Sequence, residues 1–167
     1  MRTRSKSAGF TWIELTIVIA VIGILAMMTI PGLQENMLKR QVKEAMAMAD
    51  VAKGGVSKSW ALTGKMPANN KEAGAPPKEK IISALVKEVA VDQGAIVITF
   101  GNNASKVLDN RKITIRPAVV KDEPAVPVAW LCNDVPVPNG MEIRGTNQTD
   151  IENKYLPLEC RDTTKKK

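Results

Sequence analysis

From Phe10 to Ile30 the chain runs for 21 residues with a single charge, Glu14. As a helix that stretch measures about 31 Å, enough to span the hydrocarbon of a bilayer. A carboxylate inside hydrocarbon costs roughly 2.5–3.5 kcal/mol or more when unpaired. Neither a globular core nor a simple anchor has a reason to carry it. A segment that must find a partner within the membrane does. This one residue therefore constrains the chain more than its length does. The N-terminal stretch answers to a membrane and to a second molecule, and only the sequence after it is free to build an ordinary domain.

The flanks agree. Arg2, Arg4 and Lys6 precede the apolar run, and a basic leader of this kind stays on the cytoplasmic side. A secretory signal would show a shorter apolar region and a small-residue cleavage site after it. Neither is present. The formal net charge of +7 belongs mostly to the two ends, the leader and Lys165–Lys167. The remainder is close to neutral, which argues against the clustered basic stripe of a nucleic-acid binder. The chain has no histidine, so no imidazole base or His-ligated metal is available. No nucleophile–base pair, metal cluster or phosphate loop is seen either. The sequence therefore predicts neither an enzyme nor a cofactor.

Several residues are in a familiar arrangement. A basic leader ends at Gly9, and Phe10, Thr11, Ile13 and Glu14 follow. Gly23 lies within the apolar run, and Pro31 closes it. This resembles the N-terminus of type IV pilins and their pseudopilin relatives. Trp12 stands where the family usually has Leu, and Thr16 where it has an apolar residue. The stretch from Arg40 to Glu44 is similar to the family's helix after the proline. Trp130 to Cys132 and Tyr155 to Cys160 resemble the bracket of the disulfide region of the type IVa branch.

The resemblance implies an α+β pilin fold. A long N-terminal helix, half membrane-spanning and half amphipathic, would pack on a four-stranded antiparallel sheet. A disulfide would close the C-terminal loop. The implied segments are a cleaved leader over 1–9, a transmembrane and polymerisation helix over 10–31 and an amphipathic helix over 32–61. The αβ-loop and sheet would occupy 62–131, and the disulfide-bounded region with its basic tail 132–167. The resemblance also implies cleavage between Gly9 and Phe10 by a prepilin peptidase, followed by N-methylation of Phe10. Glu14 would then meet the Phe10 amine of a neighbouring subunit and set axial register, since opposite charges attract strongly at low dielectric. Gly23 and Pro31 would allow local unwinding of the helix in an assembled filament, because both weaken helical hydrogen bonding.

Cys132 and Cys160 are the only cysteines. The membrane-targeting segment upstream places the head in an oxidising compartment, so pairing is expected. The implied function is a structural subunit of a pilus filament serving adhesion, surface motility and DNA uptake. Its partners would be other copies of itself, the prepilin peptidase and the pilus assembly machinery. It would sit in the inner membrane as a precursor, with its head in the periplasm, and later in an extracellular pilus. Two relatives with other roles fit less well. A type II secretion pseudopilin typically has a metal-bound loop in place of the disulfide. A minor pilin acting as a DNA receptor should have a basic disulfide loop. Here Cys132 to Cys160 holds only Arg144 and Lys154 against Asp134, Glu142, Asp150, Glu152 and Glu159, so DNA binding has weak support.

Beyond Pro31 the periodicity changes. Leu38, Val42, Ala45, Ala49, Ala52, Val56 and Trp60 recur every three or four residues, predicting an amphipathic helix with that stripe inward. Gly54 and Gly55 cost about 1 kcal/mol each relative to Ala, so fraying is expected there unless they pack. Residues 62–77 are rich in Gly, Pro and Asn and read as a loop. A helical turn near Ile81 and a strand ending at Val91 follow. Period-2 alternation then predicts three half-buried strands. Ile96, Ile98 and Phe100 face inward on one, Ile113 and Ile115 on the next, and Val126, Val128 and Trp130 on the last. One sheet face is expected to lie on the helix, with the Cys132–Cys160 segment as a stapled loop on the sheet edge. Asn103 and Asn147 open N-glycosylation patterns, which chance alone often produces. The methionines read as packing filler.

Overall fold

The computed structural model describes residues 9–162. The leader up to residue 8, the side chains at 28–31, including that of Pro31, and the Lys165–Lys167 tail lie outside the described residues. The chain divides into two compact units, residues 1–35 and 36–167.

Helix α1 spans Trp12–Met46. Its assignment continues through positions 23 and 31. In the first unit its apolar side chains are exposed, from 44% at Val18 to 81% at Trp12. The helix is apolar on every side, the pattern of a membrane span rather than of a surface helix. It is long and apolar enough to cross a membrane.

In the second unit the helix tightens to a 3-10 turn at Ala47–Ala49 and resumes as α2, Asp50–Thr63. All seven stripe residues from Leu38 to Trp60 are buried. The helix ends where Gly64 takes a left-handed φ of 65° and its N–H donates to the Trp60 carbonyl at 2.8 Å, a turn that favours glycine. The glycine pair does not fray the helix, and Gly55 shows why. A Cβ there would run into the carbonyl oxygen of Ala73. The loop after the helix lies directly on that glycine, and the contact offsets its poor propensity.

Four strands follow in the order β1 Val86–Asp92, β2 Ala95–Phe100, β3 Lys112–Val119 and β4 Ala129–Cys132, all antiparallel. A short β5, Glu142–Ile143, pairs with β3 off this path. Gln93 and Gly94 both have positive φ, 50° and 83°, as a two-residue hairpin between right-twisted strands requires. Ile96, Ile98, Phe100, Ile113 and Ile115 join the stripe residues Leu38 to Val56 in one core, so the expected phase of β2 and β3 holds.

Three expectations fail. The first is the last strand, which begins only at Ala129. Val126 and Val128 stay outside the sheet and half-buried. Pro127 lies between them and has no N–H for a ladder, which confines pairing to the residues beyond it. The second is the exposed sheet face. β2 is buried at every position, and Thr114 on β3 is fully buried.

The third failure explains the second. The Cys132–Cys160 segment does not stay at the sheet edge. β5 pairs with β3 on the same side as β2, and Gly145 then lies against Ala95, where a Cβ would approach the Ala95 Cβ to 2.5 Å. Next the chain crosses the outer face of β3. The Gln148 N–H donates to Thr114 Oγ1 at 2.9 Å, and the Thr114 N–H donates to Thr149 Oγ1 at 3.0 Å. It reaches the β4 side of β3 at Lys112, whose N–H donates to the Asp150 carboxylate at 2.6 Å.

The edge strand β1 is tied by one side chain. Buried Asn70 accepts from the Val91 N–H at 2.7 Å and donates to the Val89 and Pro76 carbonyls at 3.0 and 2.9 Å. A single amide thereby joins the αβ-loop to β1 and caps part of an otherwise open edge.

Candidate assembly site

Gly9 and Phe10 lie just ahead of α1, exposed, with Phe10 at 77%. A side chain at Gly9 would meet nothing within 4 Å. The peptide between them therefore stands clear of the chain's own packing.

The start of the helix is organised around Thr11 and Glu14. The Glu14 N–H donates to Thr11 Oγ1 at 3.3 Å. Glu14 Oε2 accepts from the Thr11 N–H at 2.8 Å and from its hydroxyl at 2.7 Å. This is a reciprocal capping box, in which two otherwise orphaned N–H groups of the first turn find oxygen acceptors. No ion pair to Glu14 is found among the described residues. Among the described residues, the carboxylate is met by hydrogen-bond donors and not by a charge.

The pattern reading passed over Thr11 as the partner of Glu14. The signal was present, since Thr and Glu three residues apart before an apolar run spell a helix start. The segment's family likeness absorbed the threonine as one motif letter among several. Gly23 has open space around its missing side chain. The structure therefore gives it no packing reason for being glycine within a single subunit.

The other constellation is in the head. Cys132 closes β4, and its disulfide partner Cys160 ends a short 3-10 turn, with Cα atoms 5.0 Å apart. Both are buried. Cys160 Sγ lies 3.6 Å from Met46 Sδ, so the bridge fastens the C-terminal segment directly over the helix. Around it, Asn133 Nδ2 donates to the Cys160 carbonyl at 3.1 Å, and Arg161 Nε donates to the Leu156 carbonyl at 2.9 Å. Lys154 is paired with Glu152 at 2.7 Å. Its ammonium is held above the usual lysine range, chiefly by Glu152 and secondly by Tyr155.

Asn147 donates to Asn133 Oδ1 and Asp134 Oδ1 at 3.2 and 2.9 Å and accepts from the Thr149 N–H. The amide that the glycosylation pattern would need is therefore already engaged. Asp134 is also bonded to Arg116 at 3.1 Å. Among the described residues there is no group of acidic or cysteine side chains arranged to hold a metal ion.

Comparison with known proteins places these features. The pilin family of bacterial filament proteins matches residues 39–161. The chain is 34% identical to the type IV major pilin protein PilE1 of Neisseria gonorrhoeae, over 97% of this chain and 90% of that one. It is 33% identical to a fimbrial protein of Neisseria meningitidis serogroup A, over 97% of each. It is 30% identical to the fimbrial protein EcpC of Eikenella corrodens, over 92% of this chain and 90% of the relative.

Proposed function

We propose that this chain, which belongs to the pilin family, is a structural subunit of a type IV pilus, polymerising through its N-terminal helix. The observation that carries the reading is α1 itself. Its first half is apolar on all sides, ends in no core and holds one carboxylate. A helix of this kind has two environments that satisfy it, a bilayer and a bundle of its own copies.

Processing comes first in this reading. A peptidase removes the leader at Gly9–Phe10, and the new amine is methylated. Cleavage places a cation at Phe10, one residue before the capping box. The inserted subunit carries Glu14 on the donors of Thr11, with its charge uncompensated. A neighbouring subunit that brings its Phe10 amine to Glu14 supplies the missing charge. Attraction at low dielectric makes that register more favourable than others. Gly23, which has no packing role in the single subunit, and Pro31 allow the helix to loosen between them as the filament packs.

The precursor resides in the inner membrane with its head in the periplasm. Assembly requires the pilus machinery there. The finished filament is extracellular and serves adhesion, surface motility and DNA uptake.

Intact-mass measurement of sheared surface filaments tests the proposal. The expected subunit lacks Met1–Gly9 and carries one extra methyl group. Absence of this chain from filaments, or a filament subunit that keeps its leader, overturns the reading.

A further inference from the structure

The filament reading leaves Trp12 without a role. Its side chain is 81% exposed, and its indole N–H has no acceptor among the described residues. The hydroxyls beside it are different. Thr11 Oγ1 donates to Glu14 Oε2 at 2.7 Å, and Thr16 Oγ1 donates to the Ile13 carbonyl at 2.8 Å. A broad apolar ring with one unmet donor suits neither hydrocarbon nor water. It suits the boundary between them, where tryptophan is enriched in membrane proteins.

Its position agrees. From Trp12 to Ile30 the helix rises about 27 Å, close to the roughly 30 Å of a bilayer's hydrocarbon. With the indole at one boundary, Ile30 reaches the other, and Gln34, Glu35 and Asn36 follow in sequence. Phe10 and Trp12 are the only aromatic residues before Trp60, so the span has aromatic rings at its first end alone. That is also the end that loses its charges. In the proposed processing, Arg2, Arg4 and Lys6 leave with the leader, while Trp12 stays on the mature helix.

We propose that Trp12 is an interfacial anchor, which seats the start of the mature helix at the headgroup boundary of the cytoplasmic leaflet and so fixes the depth of Glu14. Glu14 lies two residues on, about 3 Å further in. Its carboxylate is thereby kept near the polar boundary and away from the bilayer centre, where a charge costs most. Trp12 has this role only if α1 spans the membrane, as the filament reading holds, and the test separates the two.

The mature full-length chain is reconstituted in phosphatidylethanolamine–phosphatidylglycerol vesicles that contain lipids brominated either near the headgroup or near the chain ends. Bromine quenches indoles at its own depth. The Trp12→Leu chain supplies the signal of Trp60 and Trp130 for subtraction. Trp12 should be quenched several-fold more by the shallow bromines than by the deep ones. Ile19→Trp in the Trp12→Leu chain, about 10 Å deeper, should show the reverse. If both indoles prefer the deep bromines, the span stands and the anchor is overturned. If neither is quenched, the span falls and the anchor with it. Whether position 12 sets the depth is read by comparing backgrounds. Trp12→Tyr keeps an amphipathic ring, so the shallow-to-deep quenching ratio of Ile19→Trp should shift between the Trp12→Tyr and Trp12→Leu chains. Equal ratios in the two overturn the proposal.

Discussion

From Ile13 to Met27 the large apolar side chains of α1 are exposed all round the helix, whereas from Leu38 to Trp60 one stripe is buried and its flanks are wet. The first stretch is much the richer in aliphatic residues, and the two solve different problems. The second stretch has its partner in its own chain, the inner face of the sheet, so its sequence is patterned at helical period. The first is apolar on every side and carries no such stripe. The polar elements follow the same division. In the head, Asn70 and Thr114 are buried and satisfied by backbone groups of the same chain. In the first stretch Glu14 has local donors and, among the described residues, no counter-charge. A head residue that is buried and satisfied speaks of folding. An apolar segment with an uncompensated charge speaks of a second copy.

The strongest way to break this comparison is Glu14→Val. The change removes a charge from the bilayer, so insertion of the monomer should become easier. The neighbour's Phe10 amine would then have no partner. Normal membrane levels with few or no filaments are expected, by shearing and electron microscopy. Filaments at wild-type yield would show that helix packing alone sets register.

The second test acts on the head. Replacing Cys132 and Cys160 with Ser should lower head stability by about 2–5 kcal/mol, read by chemical denaturation of the detergent-solubilised chain. Membrane insertion should be unaffected, because the first stretch owes nothing to the head's core. If insertion fails along with stability, the two stretches are not independent in the way their burial suggests.

How much of this was legible beforehand differs with the range of the interaction. The Leu38–Trp60 stripe was readable because helical period is a local property, and every member is buried as its spacing required. The phase of Ile96, Ile98 and Phe100 was readable for the same reason. β4 was misplaced because the alternation of Val126, Val128 and Trp130 outweighed a proline that breaks the ladder between them. The crossing of residues 145–150 over β3 had no local signature. It depends on Gly145 fitting against Ala95 and on Thr114 meeting Gln148 and Thr149, contacts more than thirty residues apart in sequence. Half-burial was the right inference for an antiparallel strand considered alone. It failed because a loop supplied the second cover. At the helix start the cost of Glu14 in an apolar run was readable, while its hydrogen bonding to Thr11 needed the capping geometry to be noticed.

A finer test separates two adjacent glycines. Gly55→Ala would force a Cβ against the Ala73 carbonyl, and overpacking of that kind typically costs 1–3 kcal/mol. Gly54→Ala meets nothing within 4 Å and should stabilise α2 by up to about 1 kcal/mol through helix propensity. Opposite signs in thermal melts would establish that the αβ-loop, not the helix, requires glycine at 55. Equal effects would mean that the loop yields.

The smallest expected effect is at Thr11, and it sharpens the comparison most. Thr11→Val keeps the β-branched shape but removes the hydroxyl that both accepts from the Glu14 N–H and donates to its carboxylate. Loss of a helix N-cap costs about 1 kcal/mol in water. Here the same change also strips one of the two donors from a carboxylate in an apolar setting. If the capping box is what makes Glu14 tolerable in a lone subunit, Thr11→Val should lower the steady-state amount of inserted monomer, and Thr11→Ser should restore it. Glu14→Val should then be indifferent to Thr11→Val in that readout, since no carboxylate remains to be held. Additive losses in the double mutant would mean that Thr11 acts on the helix end alone, and that Glu14 waits in the membrane without its help.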